Sequence, residues 1–248
     1  MPTDRTQYTE EKIMNTKQTV ADLVTQDIRT ATVFKKFGID FCCGGGKPIQ
    51  EACEEKGANY GNLMTEIQAI MNDSKPDVDF QNMPLGKLID HIFETHHKYI
   101  YENGPITAQF VNKVAHVHGE RHPETVEVAK VYNELLSELN HHMMKEENVL
   151  FPYVKSLLAA EAEQSDTIRP FVAHPIRVME MEHDAAGEML KKLSELTSGY
   201  MPPPDACNTY KAAYANLKAM EDDIHFHIHL ENNILFPKAI ELESKIIG

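Results

Sequence analysis

Basic side chains are scarce in this sequence. Its 24 lysines and arginines stand against 38 aspartates and glutamates, a net charge of −14. A nucleic-acid surface needs clustered Lys and Arg, so that class of partner is excluded, whereas a protein partner is not. Long apolar runs are missing too: no stretch approaches the ~18 residues of a membrane span. The opening residues, "MPTDRTQYTEEKIMNTKQ", are polar and lack an apolar signal-peptide core. Residues 1–16 read as a flexible tail on a cytoplasmic protein. Cysteine is limited to Cys42, Cys43, Cys53 and Cys207. So few, three of them within a short stretch, do not make a disulfide framework in a chain of 248 residues, and thiol chemistry is the alternative to no role at all. No segment shows the strict alternation of a half-buried strand.

What is present is helical periodicity, in two parts. Residues 17–74 form a small helical, cysteine-containing domain. "TVADLVTQDIRTATVFKKFGI" carries an apolar face, and "PIQEACEEKG" and "YGNLMTEIQAIM" read as two further short helices around the glycine-rich turn "FCCGGGKP". Residues 75–84, polar and proline-bearing, are a linker. From 85 to 248 the pattern predicts four main helices. "LGKLIDHIFETHHKYIYEN" is the first, broken by Gly104-Pro105 and followed by "ITAQFVNKVAHVHG". The second begins near Pro123 and reaches about 162; "EQSDTIRP" is a loop. The third covers about 172–197, "TSGYMPPPDA" breaks it, and the fourth runs from about 207 to 243. The fold class is all-α, an antiparallel four-helix bundle preceded by a small helical domain.

The bundle repeats itself. "HHMMKEENVLFP" at 141–152 and "FHIHLENNILFP" at 226–237 share a skeleton of His, three residues, Glu, one residue, Asn, one residue, Leu-Phe-Pro. Residues i and i+4 of a helix lie roughly 40° apart around the axis and about 6 Å along it. His142 therefore shares a face with Glu146, and His227 with Glu231. A single H-x-x-x-E pair in a Glu-rich helix is common and belongs to the surface. Two matching twelve-residue skeletons imply an internal duplication, whose halves should each hold a helix pair. The first helix of each pair does offer a matching histidine, His97 and His183. Buried carboxylates are tolerated where they hold a metal, and such an inward-facing set is the arrangement of two-metal bundle sites. His225 and His229 also form an i, i+4 pair, but only His227 maps onto His142. His141 is followed four residues on by Lys145, a poor ligand, and His91, His96, His116, His122, His174, His225 and His229 default to surface or supporting roles. Pro152 and Pro237 lack the N–H that would bond Asn148 and Asn233, so the helix should bend or loosen just past each site.

Carboxylates and imidazoles in this number suit a pair of iron or manganese ions better than zinc. In "DFCCGGG", "EAC", "HHMMKEENVLFP", "EHDAAGEML", "PPPDAC" and "HIHLENNILFP" the chain resembles the hemerythrin-like di-iron proteins. More narrowly it resembles the RIC (repair of iron centres) family, over nearly everything after residue 17. That resemblance implies two iron ions, oxo- and carboxylate-bridged, held by His97, His118, His142, Glu146, His183, His227 and Glu231, with the glutamates bridging. His118 enters by resemblance alone; Gly104-Pro105 must redirect the chain to bring it near His97. Oxygen-carrying hemerythrins place a second His four residues after the ligand of the third helix; here Gly187 stands there, which opens the site to a small molecule or to loss of iron.

The implied function is repair of iron–sulfur clusters damaged by nitrosative or oxidative stress, through donation of labile iron. Its partners would be damaged iron–sulfur proteins and NO or O2, with no nucleic acid and no membrane, the chain being a monomer or homodimer. Reduction of NO at the ferrous pair, or gas sensing, is the alternative. Cys42 and Cys43 are candidates for a thiol relay, and the helix beginning near Pro48 would lower a thiol pKa through its N-terminal dipole. Cys207 is expected to be structural.

Overall fold

The computed structural model describes residues 18–73, 76–163 and 170–247; the tail and most of the loop after residue 163 lie outside them. The chain divides into two compact units between Met83 and Pro84. Every regular element among the described residues is helical, and pairing is limited to one isolated bridge, Thr19 with Pro48.

The first unit holds α1 (Val20–Gln26), α2 (Ala31–Lys36), α3 (Ile49–Lys56) and α4 (Tyr60–Asp73). Thr19 starts α1 with a reciprocal cap: its hydroxyl accepts from the Asp22 N–H, and Asp22 accepts from the Thr19 N–H. The segment expected as one helix is in fact two. Asp27 adopts an extended backbone and its carboxylate accepts from the Arg29 N–H, which opens a 3-10 turn, Ile28–Thr30, between α1 and α2. Leu23, Val24, Phe34, Leu63 and Ile67 close the core of this unit.

The second unit is built from four rods. The first comprises α5 (Leu85–His91), a π-helical turn Ile92–His97, and α6 (Lys98–His118). The second comprises α7 (Glu124–Lys145), a π-helical turn Glu146–Leu150, and α8 (Phe151–Glu163). The third is α9 (Ala173–Leu196). The fourth comprises α10 (Asn208–Leu230), a π-helical turn Glu231–Leu235, and α11 (Phe236–Ile247). α6 packs on α7 and α10, and α7 packs on α9. Leu135, Leu139, Met179, Leu190, Leu217 and Ile224 fill the interior, each contributing about 1.5–3 kcal/mol by burial.

The expected break at Gly104-Pro105 does not occur. α6 runs through both residues. A proline inside a helix costs about 3 kcal/mol, and here packing offsets it: Ile100, Thr107, Val111 and Val114 are buried along one continuous face. At Gly104 the first and second rods come close. A Cβ there would lie 2.5 Å from Leu136 Cδ1, and the Gly104 carbonyl accepts from the Tyr132 hydroxyl at 3.2 Å.

The loosening expected past each H-x-x-x-E pair is present, and it is the same in both halves. Each π-turn begins at the glutamate and ends two residues before the proline. Phe151 N–H donates to the Glu146 carbonyl, and Phe236 N–H to the Glu231 carbonyl. The wider turn absorbs the hydrogen bonds that Pro152 and Pro237 cannot make.

Candidate metal centre

The duplicated motifs converge in the interior of the bundle. His97 stands at the end of the first π-turn, His142 in the last turn of α7, His183 midway along α9 and His227 in the last turn of α10. Glu146 and Glu231 each open a π-turn. All six are buried, and both glutamates are wholly excluded from solvent.

They form two groups that share the carboxylates. Ligand atoms of His97, Glu146, His227 and Glu231 lie within 4.8 Å of one another, as do those of His142, Glu146, His183 and Glu231. Glu146 sets Oε2 3.3 Å from His97 Nε2 and Oε1 3.3 Å from His142 Nε2. Glu231 sets Oε1 3.0 Å from His227 Nε2 and Oε2 3.2 Å from His183 Nε2. Within each pair the Nε2 atoms are 3.2 Å apart (His97, His227) and 3.0 Å apart (His142, His183). Two donors bound at right angles to one cation, with bonds of about 2.1 Å, lie about 3.0 Å apart.

The donor chemistry agrees with the spacing. All four carboxylate oxygens are buried without a hydrogen-bond partner. Such groups are destabilising unless a positive charge sits among them. Without a cation, the histidines play that part. Burial alone would push Glu231 up, but His227 and His183 beside it hold it well below the usual carboxylate range. Glu146 is lowered in the same way, chiefly by His142, against burial and the nearby Glu231. Burial would likewise lower His142, but Glu146 and Glu182 outweigh it and push the imidazole up to about 10. Burial lowers His227, so the compensating positive charge falls on His97 and His142, which the glutamates raise against burial, and a cation can replace it.

Supporting residues that spacing alone did not single out hold the outer edge of the rings. His97 Nδ1 donates to Glu147 at 2.8 Å, His142 Nδ1 to Glu182 at 2.9 Å, and His183 Nδ1 to Asn232 at 2.7 Å. Their signal lay in adjacency, since Glu147 and Asn232 each follow the shared glutamate and Glu182 precedes His183.

The structure does not bring His118 to this centre. α6 continues straight from Lys98 to His118, so the expected seventh ligand lies about 30 Å along the rod from His97. His118 instead places Nε2 3.3 Å from the sulfur of Cys207, which is exposed, and rests against the ring of Tyr210.

In the first unit, Asp40 organises the cysteine pair. Its carboxylate accepts from the N–H groups of Cys42, Cys43 and Gly44 at 2.9, 3.2 and 2.9 Å, and from the Cys42 thiol at 3.2 Å. The two sulfurs are 3.9 Å apart, hydrogen-bonded and not joined as a disulfide. Asp40, Cys42 and Cys43 form a further group able to hold a metal. The expected lowering of a thiol pKa is reversed at Cys42. The hydrogen bond with Cys43, burial and the Asp40 charge all push it well above the usual thiol value. Cys53 is buried, and burial raises its thiol too.

The family model for the hemerythrin HHE cation-binding domain matches residues 88–239. A second model, a domain of unknown function named ScdA_N, matches residues 16–71. The iron-sulfur cluster repair protein YtfE of Citrobacter koseri is 35% identical over 223 residues, covering 90% of this chain and 96% of its own length. That of Cronobacter sakazakii is 35% identical over 227 residues, covering 92% and 98%. A probable iron-sulfur cluster repair protein of Haemophilus influenzae is 34% identical, covering 90% and 97%. This chain belongs to the iron–sulfur cluster repair family. Its bundle is a hemerythrin-like cation-binding domain, and the paired His/Glu groups buried in it are able to hold a metal. Among the described residues, no helix is long and apolar enough to cross a membrane.

Proposed function

We propose that the protein holds two iron ions and donates iron to iron–sulfur clusters damaged by nitrosative or oxidative stress, in the cytoplasm. His97 and His227 would hold one ion, His142 and His183 the other, and Glu146 and Glu231 would bridge them. One observation carries the reading: each glutamate turns one oxygen to each histidine pair, and none of the four oxygens has a hydrogen donor. A single zinc ion does not require that sharing. The family relatives, named for cluster repair, supply the client class.

The chain's own residues prepare the centre and restrain it. Glu147, Glu182 and Asn232 orient imidazoles so that Nε2 faces inward. With His118 elsewhere and Gly187 in place of a further histidine, the six residues leave coordination positions to exchangeable molecules. A centre so held can bind small ligands and can release its cargo. The reading assigns residues 17–74 and 85–248 to separate domains with separate work. The bundle stores iron. The Asp40–Cys42–Cys43 group, with its protonated, carboxylate-bound thiol, receives a cation only as that proton leaves.

The test is metal analysis of protein purified from its host, followed by anaerobic reactivation of an iron-depleted cluster enzyme with this protein as the iron source. Two irons per chain and reactivation above a free-iron control are expected. Reactivation no better than free iron would overturn the donor role.

A further inference from the structure

We infer that the two metal positions are unequal, and that the position between His97 and His227 is the one that gives up its ion. The inference rests on the two-iron reading above and names which of the two is cargo.

The evidence is a break in the internal symmetry. Three of the four central imidazoles are braced through Nδ1: His97 by Glu147, His142 by Glu182 and His183 by Asn232. The fourth is not. His227 Nδ1 is buried and has no hydrogen-bond partner. The duplication shows where its brace would come from. Glu182 immediately precedes His183 and reaches across to His142. In the other half, the residue that immediately precedes His97 is His96.

His96 does not take that role. Its ring lies parallel to that of His227, 3° apart in plane with centroids 5.7 Å apart. Two stacked rings present faces to each other, so neither can donate to the other's edge. His96 Nδ1 is engaged by Asp223 at 2.9 Å, and Nε2 is buried without a partner. The π-helical backbone of Ile92–His97 sets this orientation, whereas Glu182 and His183 sit on the regular turns of α9.

The consequence concerns how firmly each ion is held. A ligating imidazole that donates its second N–H to an acceptor is fixed in orientation and made more basic, and losing such a brace costs about 10–100-fold in metal affinity. The His142–His183 position has both braces, and Glu182 is itself held by Lys145. The His97–His227 position has one, and that carboxylate also accepts from the Tyr101 hydroxyl at 3.0 Å. Because Glu146 and Glu231 remain engaged with the better-held ion, the pocket stays formed after the first ion leaves. A donor that empties one position and keeps the other can be refilled without reassembling its site.

The full-length chain, loaded anaerobically with ferrous iron and analysed for two ions, is mixed with excess of a ferrous chelator that colours on binding. Release is expected in two phases of equal amplitude, at least about tenfold apart in rate. His96→Gln places an amide of the same reach as Glu182 next to His227 and should slow the fast phase alone. Glu182→Ala, at a partly exposed position, removes the acceptor from His142 Nδ1 and should quicken the slow phase alone, and it decides the matter if the His96 variant does not fold. One phase in the unaltered protein, a fast phase indifferent to His96→Gln, or a slow phase indifferent to Glu182→Ala would each overturn the inference while leaving the two-iron centre standing. Fewer than two ions before chelation would overturn the two-iron reading itself, and the inference with it.

Discussion

Glu146 and Glu231 bring carboxylate oxygens within 4.8 Å of each other with no solvent exposure. Their mutual repulsion is one of the forces opposing ionisation of Glu146. Two like charges so buried persist only with positive charge between or beside them.

A first prediction follows for stability. A ligand that binds only the folded state, present at a hundred times its dissociation constant, adds about 2.7 kcal/mol. For a unit of this size that is about 5–10 °C in Tm. Thermal unfolding with and without iron should show a rise of that order. The same comparison on Glu231→Gln should show almost none, because one bridge between the positions is gone. An equal iron-dependent shift in the variant would remove Glu231 from the site.

Metal uptake should be proton-coupled. In the metal-free chain Glu146 and Glu182 hold His142 up to about 10, against burial. The imidazole is therefore protonated through the neutral range, and a cation must displace that proton. Affinity should rise with pH from about 6.5 toward 10, by up to about tenfold per unit for each proton released. Titration in buffers of different ionisation enthalpy measures the proton count directly. Uptake without proton release would contradict the pairing of His142 with Glu146.

Glu243 makes a separate, structural prediction. From α11 it accepts from the N–H groups of Phe171 and Val172, at 2.8 and 3.0 Å, and from the Tyr153 hydroxyl. It thereby anchors the start of α9, the rod that carries His183. Burial raises its carboxyl, but these three donors outweigh burial and leave it lowered. A lowered folded pKa gives stability that is present above the unfolded value, about 4.3, and is lost as pH falls through the folded value. Glu243→Ala should destabilise the bundle by about 1–3 kcal/mol near neutrality. Its unfolding midpoint should change less than that of the parent between pH 5 and strongly acid solution.

Legibility in the sequence followed the physics of repetition. His142, Glu146, His227 and Glu231 stand out because a duplicated skeleton fixes the helical phase that spacing alone leaves open at His225 and His229. His97 and His183 follow from the symmetry. Two of the three π-turns are legible at Pro152 and Pro237, where a missing N–H forces the helix to widen; the one at Ile92–His97 has no such mark. Gly104-Pro105 was misleading for the opposite reason: burial on both sides of the pair holds α6 straight, and packing of that kind is not local. Adjacency marked the braces, but which ring each one serves depends on which side chain reaches across to a neighbouring rod. Asp40 was hidden because its role is to gather backbone N–H groups in a turn whose shape composition does not encode.

His118 supplies the sharpest contrast. By resemblance it joins the ligands; by position it closes the far end of α6 beside Cys207 and Tyr210. His118→Ala should keep both irons, with affinity changed less than about twofold, since the loss of an outer brace already costs more than that. His97→Ala should lose at least one iron, because it removes a donor 3.3 Å from Glu146 and 3.2 Å from His227 Nε2. Metal analysis and the iron absorption spectrum of the two variants, measured side by side, make the comparison. Iron lost equally from both would mean that α6 bends in solution at Gly104-Pro105 far enough to bring its end back to the centre. A rod packed along Ile100, Val111 and Val114 does not permit that without exposing the face it buries.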